Sequence, residues 1–375
     1  MWFVIEREGL QQLIGFIQGF SPIPNHLPSF MQDCILESTQ SGLYVEALNY
    51  ESHAKVKLDA IVEKEGQCTV PMKYLLRILK SIDSDDVRFE LYSNHIEIAA
   101  NSSKFKLSTT VNIDSFSRIK EPDMDSWISV ISGDLADAVR IASGIVVSEV
   151  GRSELDSVLF QIQGEELAIY GTDARRLIKV RLPYGGSGIG GKIVIHSSTC
   201  KLLNEICEKV YDEIQLSFDR TMLYLKLQQD NDLKLIVRVR ALECEYPDVE
   251  SVLEQVSKEY SITWHVKKQD LIDVCKKAIS IFNTDICSLI FDLTPKGVSC
   301  SAEHSGNEYI GNIEGQVDGN IKFALNAKLL LDMIKLFYVN ELEFGINAPD
   351  KPVLIKEAVS LPSGSCIGLI MPLRQ

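Results

Sequence analysis

The chain has 375 residues, more than one compact core usually holds, and this length predicts two to three domains. An apolar fraction of 45% and a charged fraction of 24% argue against a disordered, collagen-like or coiled-coil protein. The net charge of −14 argues against a protein that grips nucleic acid through an overall basic surface.

Two amphipathic helix patterns recur in each third of the chain. The first places apolar residues at positions i, i+3 and i+4, which lie on one helical face. It occurs at Leu10, Leu13 and Ile14, at Leu135, Ala138 and Val139, and at Leu271, Val274 and Cys275. The second pattern is a leucine pair followed three residues later by another apolar residue, and it begins at residues 75, 202 and 330. This spacing indicates three internal repeats.

Strand-like runs fill most of the remaining sequence, and many alternate polar with apolar residues. We therefore predict an α+β fold of three repeated domains, each with two helices packed on antiparallel sheets. The predicted helices cover residues 6–18, 72–81, 133–144, 197–209, 266–280 and 326–337. The predicted domains are residues 1–122, 123–252 and 253–375, with boundaries in charged segments near 121–123 and 252–260.

The nine cysteines lie mostly inside apolar runs and form no CxxC pair. This pattern indicates free thiols in a reducing compartment rather than a disulfide framework. The N-terminal sequence MWFVIEREGL lacks the long apolar core of a signal peptide, and no run approaches the roughly 18 apolar residues of a membrane span. We expect a cytoplasmic protein that does not enter a membrane.

The segment from Gly185 to Gly191 has the GxGxxG spacing of a nucleotide-binding loop and nearly that of a P-loop. The P-loop pattern fails at Ile193, where a serine or threonine would hold magnesium. Both motifs also need a helix directly after the glycines, whereas residues 192–196 resemble a strand. We interpret the segment as a connection between strands, and a nucleotide-dependent enzyme is the alternative.

Other chemical motifs are missing from the sequence. The six histidines are scattered, with no HExxH, no paired-cysteine zinc pattern and no GxSxG serine motif. We expect no catalytic residues, no metal site and no cofactor. A protein scaffold that does not bind DNA is a second alternative.

Three further segments stand out: Thr172-Asp-Ala-Arg-Arg-Leu177, the turn Tyr246-Pro247-Asp248, and the apolar C-terminal stretch ending Met371-Pro-Leu-Arg374. The C-terminal stretch alone fits either a core edge strand or the wall of a groove for an apolar peptide. Together with the three repeats, these motifs resemble the bacterial sliding clamps, the beta subunits of DNA polymerase III, over the whole chain.

The resemblance implies a homodimeric ring of six domains that encircles duplex DNA without sequence specificity. Such a ring is a processivity factor in DNA replication and has no catalytic site of its own. It is placed on DNA by an ATP-driven clamp loader. It tethers the DNA polymerase III catalytic subunit, other DNA polymerases and repair proteins through their clamp-binding peptides.

The resemblance also implies three sets of functional residues. The pocket for partner peptides would comprise Leu155, Thr172, Ala174, Arg175, Arg176, Leu177, Pro247, Val252, Asn326, Leu369, Met371, Pro372, Leu373 and Arg374. The basic residues facing DNA would be Lys73, Arg77, Lys80, Arg140, Arg152, Lys201, Lys267, Lys268, Lys276, Lys277, Lys328 and Lys335. The dimer interface would join Tyr74, Ile78, Phe105 and Leu107 of the first domain to Ile281 and Phe282 of the third.

The chain departs from the family pattern at several positions. Ala174 and Arg175 replace a common Gly-His pair, and Gln375 replaces an apolar C-terminal residue. The segment from Pro22 to His26 lacks an arginine that relatives carry there, and polar or aromatic residues of some relatives are replaced by Glu149, Ser153 and Glu154.

The distribution of charge modifies the first inference from net charge. The six predicted helices together carry +4, which leaves −18 for the rest of the chain. Helices facing a central hole would make the hole mildly positive, enough to admit a duplex without holding it tightly. The overall acidity therefore argues against a gripping protein but not against one that encircles DNA.

Overall fold

A computed structural model describes residues 1–20, 32–109, 127–147, 152–186, 190–209, 213–229, 232–282, 284–358 and 364–374. Within these ranges seven α-helices pack on antiparallel sheets, which confirms the predicted α+β class. The chain forms two compact units. The first comprises Met1–Gly133, Gly185–Ile189 and Glu205–Ala241, and the second comprises Asp134–Tyr184, Gly190–Asn204 and Leu242–Gln375.

The first unit contains two sheets. The five-stranded sheet has the order β5 (Ile61–Lys64), β1 (Trp2–Glu6), β7 (Asp86–Leu91), β8 (His95–Ala100) and β9 (Ser103–Ser108). The eight-stranded sheet has the order β10 (Ile128–Ile131), β15 (Glu213–Phe218), β16 (Met222–Gln229), β17 (Asp232–Arg240), β4 (Ser52–Leu58), β3 (Gly42–Leu48), β2 (Asp33–Thr39) and β6 (Gly66–Pro71). Helices α1 (Arg7–Ile17) and α2 (Met72–Ser81) belong to this unit.

The second unit also contains two sheets. The nine-stranded sheet has the order β14 (Gly191–His196), β11 (Ser157–Gln163), β12 (Glu166–Thr172), β13 (Arg176–Pro183), β26 (Ser365–Ile370), β25 (Val353–Glu357), β24 (Glu341–Ile346), β18 (Ile262–Lys267) and β22 (Gly315–Val317). The four-stranded sheet has the order β21 (Asn307–Ile313), β20 (Gly297–His304), β19 (Ser288–Thr294) and β23 (Ile321–Asn326).

The remaining helices are α3 (Ser132–Ser143), α4 (Ser197–Lys209), α5 (Val249–Glu259), α6 (Lys268–Ile279) and α7 (Ala327–Ile334). Six of the seven helices match the predicted segments closely. In each of these six a strand runs directly into the helix, for example β6 into α2 at Pro71 and Met72. The residues that predicted the helices are buried, among them Leu10, Leu75 and Leu330, except for the half-buried Leu202. The apolar periodicity was thus a reliable signal because each helix packs one stripe into a core.

Helix α5 was not predicted. The charged segment near residues 252–260, predicted to be a domain boundary, forms most of this helix. Its buried residues Val249 and Leu253 are four positions apart, and Asp248 accepts a hydrogen bond from the Ser251 N–H at the helix start. The Pro-Asp pair before an apolar i, i+4 repeat was the signal that could have revealed it.

Strands from the predicted central domain occur in both units. Strands β10, β15, β16 and β17 extend the sheet of the first unit through the pairing of β17 with β4. Strands β11 to β14 extend the nine-stranded sheet of the second unit through the pairing of β13 with β26. The three-domain division with ends at residues 122 and 252 therefore stays a prediction, and residue 122 lies outside the described residues.

The glycine-rich segment leads into strand β14 at Gly191, as the strand interpretation predicted. No helix N-terminus follows the glycines to bind a phosphate. Gly188 lies outside the described residues. In the part of the chain that the structure describes, no helix is long and apolar enough to cross a membrane.

Candidate functional site

The segment from Thr172 to Leu177 forms the tight turn between β12 and β13 in the second unit. The Thr172 hydroxyl donates to the Arg176 carbonyl at 2.7 Å and accepts the Ala174 N–H at 3.2 Å. The Asp173 carboxylate accepts the N–H groups of Arg175 and Arg176 at 2.9 and 2.6 Å. The Thr-Asp pair therefore folds the turn with its own side chains, which explains this part of the motif.

Arg176 is buried and fully engaged within the protein. Its Nε and Nη2 atoms lie 3.0 and 2.9 Å from Asp173 Oδ2, and its Nη1 donates to the Leu329 carbonyl of α7 at 3.0 Å. The ion pair neutralises the guanidinium, and the Leu329 contact fixes the turn against the helix. Arg176 thus stabilises the shape of the turn and offers no unpaired charge to a ligand.

The C-terminal stretch continues β26 along this turn. Leu369 pairs with Leu177 across the sheet, and the Met371 N–H donates to the Arg175 carbonyl at 2.9 Å. Two residues later the Leu373 N–H donates to the Ala324 carbonyl at 2.8 Å. Leu369 is buried, whereas Met371 is 46% exposed, so the chain end offers an apolar side chain to a ligand.

The start of helix α5 forms the opposite wall. Asp248 caps the helix, accepting the Ser251 N–H at 3.3 Å and the Ser251 hydroxyl at 2.7 Å. These hydrogen bonds lower the pKa of the Asp248 carboxyl. Beyond the cap, Val249 is buried and Val252 is 46% exposed. The capped helix start therefore fixes where these two valines lie.

The turn, the chain end and α5 enclose a cavity of about 160 Å³ in the second unit. It is lined by Thr172, Ala174, Arg175, Arg176, Leu177, Pro247, Asp248, Val249, Val252, Pro352, Leu369 and Met371. Its floor is apolar and buried, and its rim is exposed at Ala174, Arg175 and Met371. Such a preformed apolar cavity fits an anchoring side chain of a short peptide.

Nine of the fourteen residues in the predicted pocket line this cavity, and five do not. Leu155 is buried in a single 3₁₀ turn, and Asn326 caps α7 by accepting the Lys328 N–H at 3.1 Å. Pro372, Leu373 and Arg374 follow the cavity in the chain without lining it. The motifs missed Asp248, Val249 and Pro352, the last of which comes from the segment before β25.

Two of the six predicted interface residues lie on an edge strand, and the other four lie on or just after helices. Phe105 and Leu107 are half-buried on β9, which pairs only with β8 among the described strands. Tyr74 is 55% exposed on α2, and Ile78 is half-buried one turn later. Ile281 and Phe282 follow α6, where Phe282 stacks on His304 with ring centroids 4.8 Å apart.

The predicted DNA-facing residues divide into two groups. Exposed side chains belong to Lys73, Arg77, Lys80, Arg152, Lys201, Lys267, Lys276, Lys277 and Lys335, whereas Arg140, Lys268 and Lys328 are half-buried. Four of the twelve make contacts within the protein. These are Arg140 with Asp137 at 3.3 Å, Arg152 with Glu154 at 3.2 Å, Lys268 with the Phe337 carbonyl at 2.7 Å, and Lys328 with Asp285 at 3.4 Å.

The departures from the family pattern lie partly outside and partly inside the described residues. The segment from Pro22 to His26, Glu149 and Gln375 lie outside the described residues. Ser153 and Glu154 form the 3₁₀ turn with Leu155. Ala174 has a backbone φ of +65°, the left-handed conformation that glycine adopts at least cost.

Part of the chain matches a known protein family, and the whole chain is similar to known proteins. Residues 1–119 match the family described as DNA polymerase III beta subunit, N-terminal domain. The chain is 24% identical to the beta sliding clamp of Chlamydia muridarum over all of this chain and 99% of that protein. It is 20% identical to the beta sliding clamp of Vibrio cholerae over the full length of both proteins.

Solved structures show the same fold. The DNA polymerase sliding clamp of Bacillus subtilis superposes with a TM-score of 0.89 at 16% identity, covering all of this chain and 99% of that one. The DNA polymerase III beta subunit of Pseudomonas aeruginosa superposes with a TM-score of 0.88 at 18% identity over both full chains.

Proposed function

We propose that the chain belongs to the DNA polymerase III beta subunit family and is a DNA sliding clamp, a processivity factor and not an enzyme. Residues 1–119 match the N-terminal domain of that family, and the whole chain is similar to beta sliding clamps. The observation that carries this proposal is the apolar cavity, to which the Thr172–Leu177 turn, the chain end and α5 all contribute. The cavity is the docking site for the replicative polymerase, for other polymerases and repair proteins, and for the ATP-driven clamp loader. Each partner inserts an apolar anchor of a short peptide.

Two free sheet edges support assembly into a ring. Strand β9 ends the five-stranded sheet, and β21 ends the four-stranded sheet, each with one partner among the described strands. Exposed edges invite pairing with another chain. We propose that β9 of one protomer pairs with β21 of the other, with Phe105, Leu107 and the exposed Ile310 packing together. Two such contacts close a homodimeric ring.

Helix α2 has two exposed faces that fit two different partners, DNA and the other protomer. Lys73, Arg77 and Lys80 are exposed at positions i, i+4 and i+7, so they form one basic face. Tyr74 and Ile78 occupy the neighbouring face about 100° around the helix. We propose that the basic face points at phosphates and the apolar face at the other protomer. The duplex is held loosely without base contacts.

The alternatives named from sequence are not favoured. A nucleotide-dependent enzyme needs a helix after the glycine loop, and β14 is there instead. A scaffold without DNA leaves the basic face of α2 without a role. We place the clamp in the cytoplasm, where the DNA that it encircles is copied.

The proposed function is tested by primer extension on a singly primed circular template. The reaction contains the cognate polymerase, the clamp loader and ATP. When this protein is added, the products made in one binding event should be much longer than when it is left out. Product length that does not depend on the protein would contradict the proposal.

The proposed role of the cavity is tested by Met371→Ala combined with Leu177→Ala. The double variant should bind a polymerase-derived peptide more weakly because two apolar lining groups are lost, and it should remain a dimer. Unchanged peptide affinity would contradict the assignment of the cavity.

A further inference from the structure

Glu250, in the first turn of α5, is linked to the sheet beneath it. Lys179 Nζ lies 2.8 and 2.9 Å from the two oxygens of the Glu250 carboxylate. The Tyr170 hydroxyl donates to the same carboxylate. Tyr170 and Lys179 are cross-strand neighbours on β12 and β13, and both are at least 95% buried. Glu250 is therefore the counter-ion of a buried lysine.

This contact joins two walls of the cavity. Glu250 lies between Val249 and Val252, which line the cavity from α5. Lys179 and Tyr170 lie on the two strands whose connecting turn, Thr172–Leu177, lines the cavity from the other side. The ion pair therefore connects the helix that carries the valines to the strands that carry the turn.

A buried ammonium without a partner is costly, so the lysine favours the docked position of the helix. Burial alone would raise the pKa of the Glu250 carboxyl, but hydrogen bonds from Lys179 and Tyr170 lower it overall. Arg181 contributes in the same direction and itself pairs with Glu166 at 3.7 Å. The carboxylate is thus ionised and holds the helix at neutral pH.

We propose that Glu250 is a positioning residue for the peptide-binding cavity: through Lys179 and Tyr170 it holds the first turn of α5, so that Val249 and Val252 form a wall of fixed position. The proposal rests on the proposed function of the cavity. Glu250 itself does not line the cavity, and its effect on peptide affinity is indirect.

The test measures binding of a fluorescein-labelled nonapeptide with adjacent leucine and phenylalanine anchors, by anisotropy, well below the melting temperature. Glu250→Ala should weaken binding about three- to ten-fold, a typical effect of an indirect contact. Glu250→Gln should recover only part of the affinity, because its amide oxygen still accepts a hydrogen bond but its neutral side chain no longer balances the charge of Lys179. Glu254→Ala is the matched control, since Glu254 lies on the same helix and, among the described residues, pairs with the exposed Lys258 at 3.4 Å.

A double-mutant cycle adds a readout that general destabilisation would not give. Lys179→Met should weaken peptide binding as Glu250→Ala does. The double variant should bind the peptide no more weakly than either single variant. Additive losses, or a lowered melting temperature with unchanged peptide affinity, would overturn the positioning role. If the unmodified protein failed to bind the peptide, the proposed function of the cavity would fall as well.

Discussion

Asp173 and Arg176 form a buried ion pair within one tight turn, with 2.9 Å between Asp173 Oδ2 and Arg176 Nη2. Their side chains are only 4% and 5% exposed. The most recognisable motif of the chain therefore encodes the shape of a turn. Among the lining groups that a ligand can reach are the exposed side chains of Arg175, Val252 and Met371.

Removing the Asp173 carboxylate should be strongly destabilising. In Asp173→Ala the guanidinium of Arg176 stays buried without its counter-ion, which costs about 3–5 kcal/mol. Urea denaturation followed by circular dichroism measures the change in unfolding free energy. Arg175→Ala, the matched change at an exposed neighbour, should shift it by less than about 0.5 kcal/mol. Equal effects of the two substitutions would show that the pair is unimportant.

Ala174→Gly should stabilise the protein. Ala174 has a φ of +65°, where a Cβ atom costs roughly 1–2 kcal/mol, and glycine's greater unfolded-state entropy offsets part of the relief. We expect a net gain of about 0.5–1 kcal/mol in the same urea experiment. Ala136→Gly, inside helix α3, is the opposite control and should lose stability. A loss of stability in both variants would contradict backbone strain at Ala174.

Charging strand β9 should break the dimer. Phe105→Asp with Leu107→Asp places two carboxylates on the edge proposed to pair with β21, and sedimentation velocity should then show a monomer. Ile61→Asp is the control, because Ile61 is 70% exposed on β5 at the opposite edge of the same sheet. A dimer that survives the β9 changes, or is lost in the β5 control, would refute the assigned edge.

Asp33, on β2, should make stability depend on pH. Burial raises the pKa of its carboxyl to about 6. Since the folded pKa lies above the unfolded value, the stability that the protonated group contributes is full below about pH 4 and is lost as pH rises to about 6.

Asp33→Asn, which stays neutral, should therefore gain stability over the unmodified protein as pH rises across this window. Asp59→Asn controls for the loss of one negative charge at a side chain that is 92% exposed. An Asp33→Asn advantage that is constant between pH 4 and pH 7.5 would exclude the buried carboxyl as its cause.

Six helices could be predicted because each buries a stripe of apolar residues that recurs within a few positions, as at Leu75, Leu76 and Leu79. Helix α5 was not predicted because Glu250 and Glu254 interrupt its apolar residues, so that the segment resembles a charged linker. The role of Glu250 depends on Lys179, 71 residues away in the chain. Such a contact exists only after the sheet has formed.

The residues of the cavity could likewise be predicted from sequence only where they are close together in the chain. Residues adjacent in the motifs, such as Arg175 and Leu177, could be assigned together. Pro352 could not, because it reaches the cavity through the pairing of β25 with β26. Register between distant strands is fixed by tertiary packing and carries no local signal.

The central claim is that the protein encircles DNA, and the most direct test measures its retention on closed circular DNA. After loading with ATP and the clamp loader, the labelled protein should co-migrate with the circle through gel filtration in 0.5 M salt. It should leave when a restriction enzyme linearises the circle, because a ring slides off a free end. Equal retention on circular and linear DNA, governed by salt alone, would contradict the account.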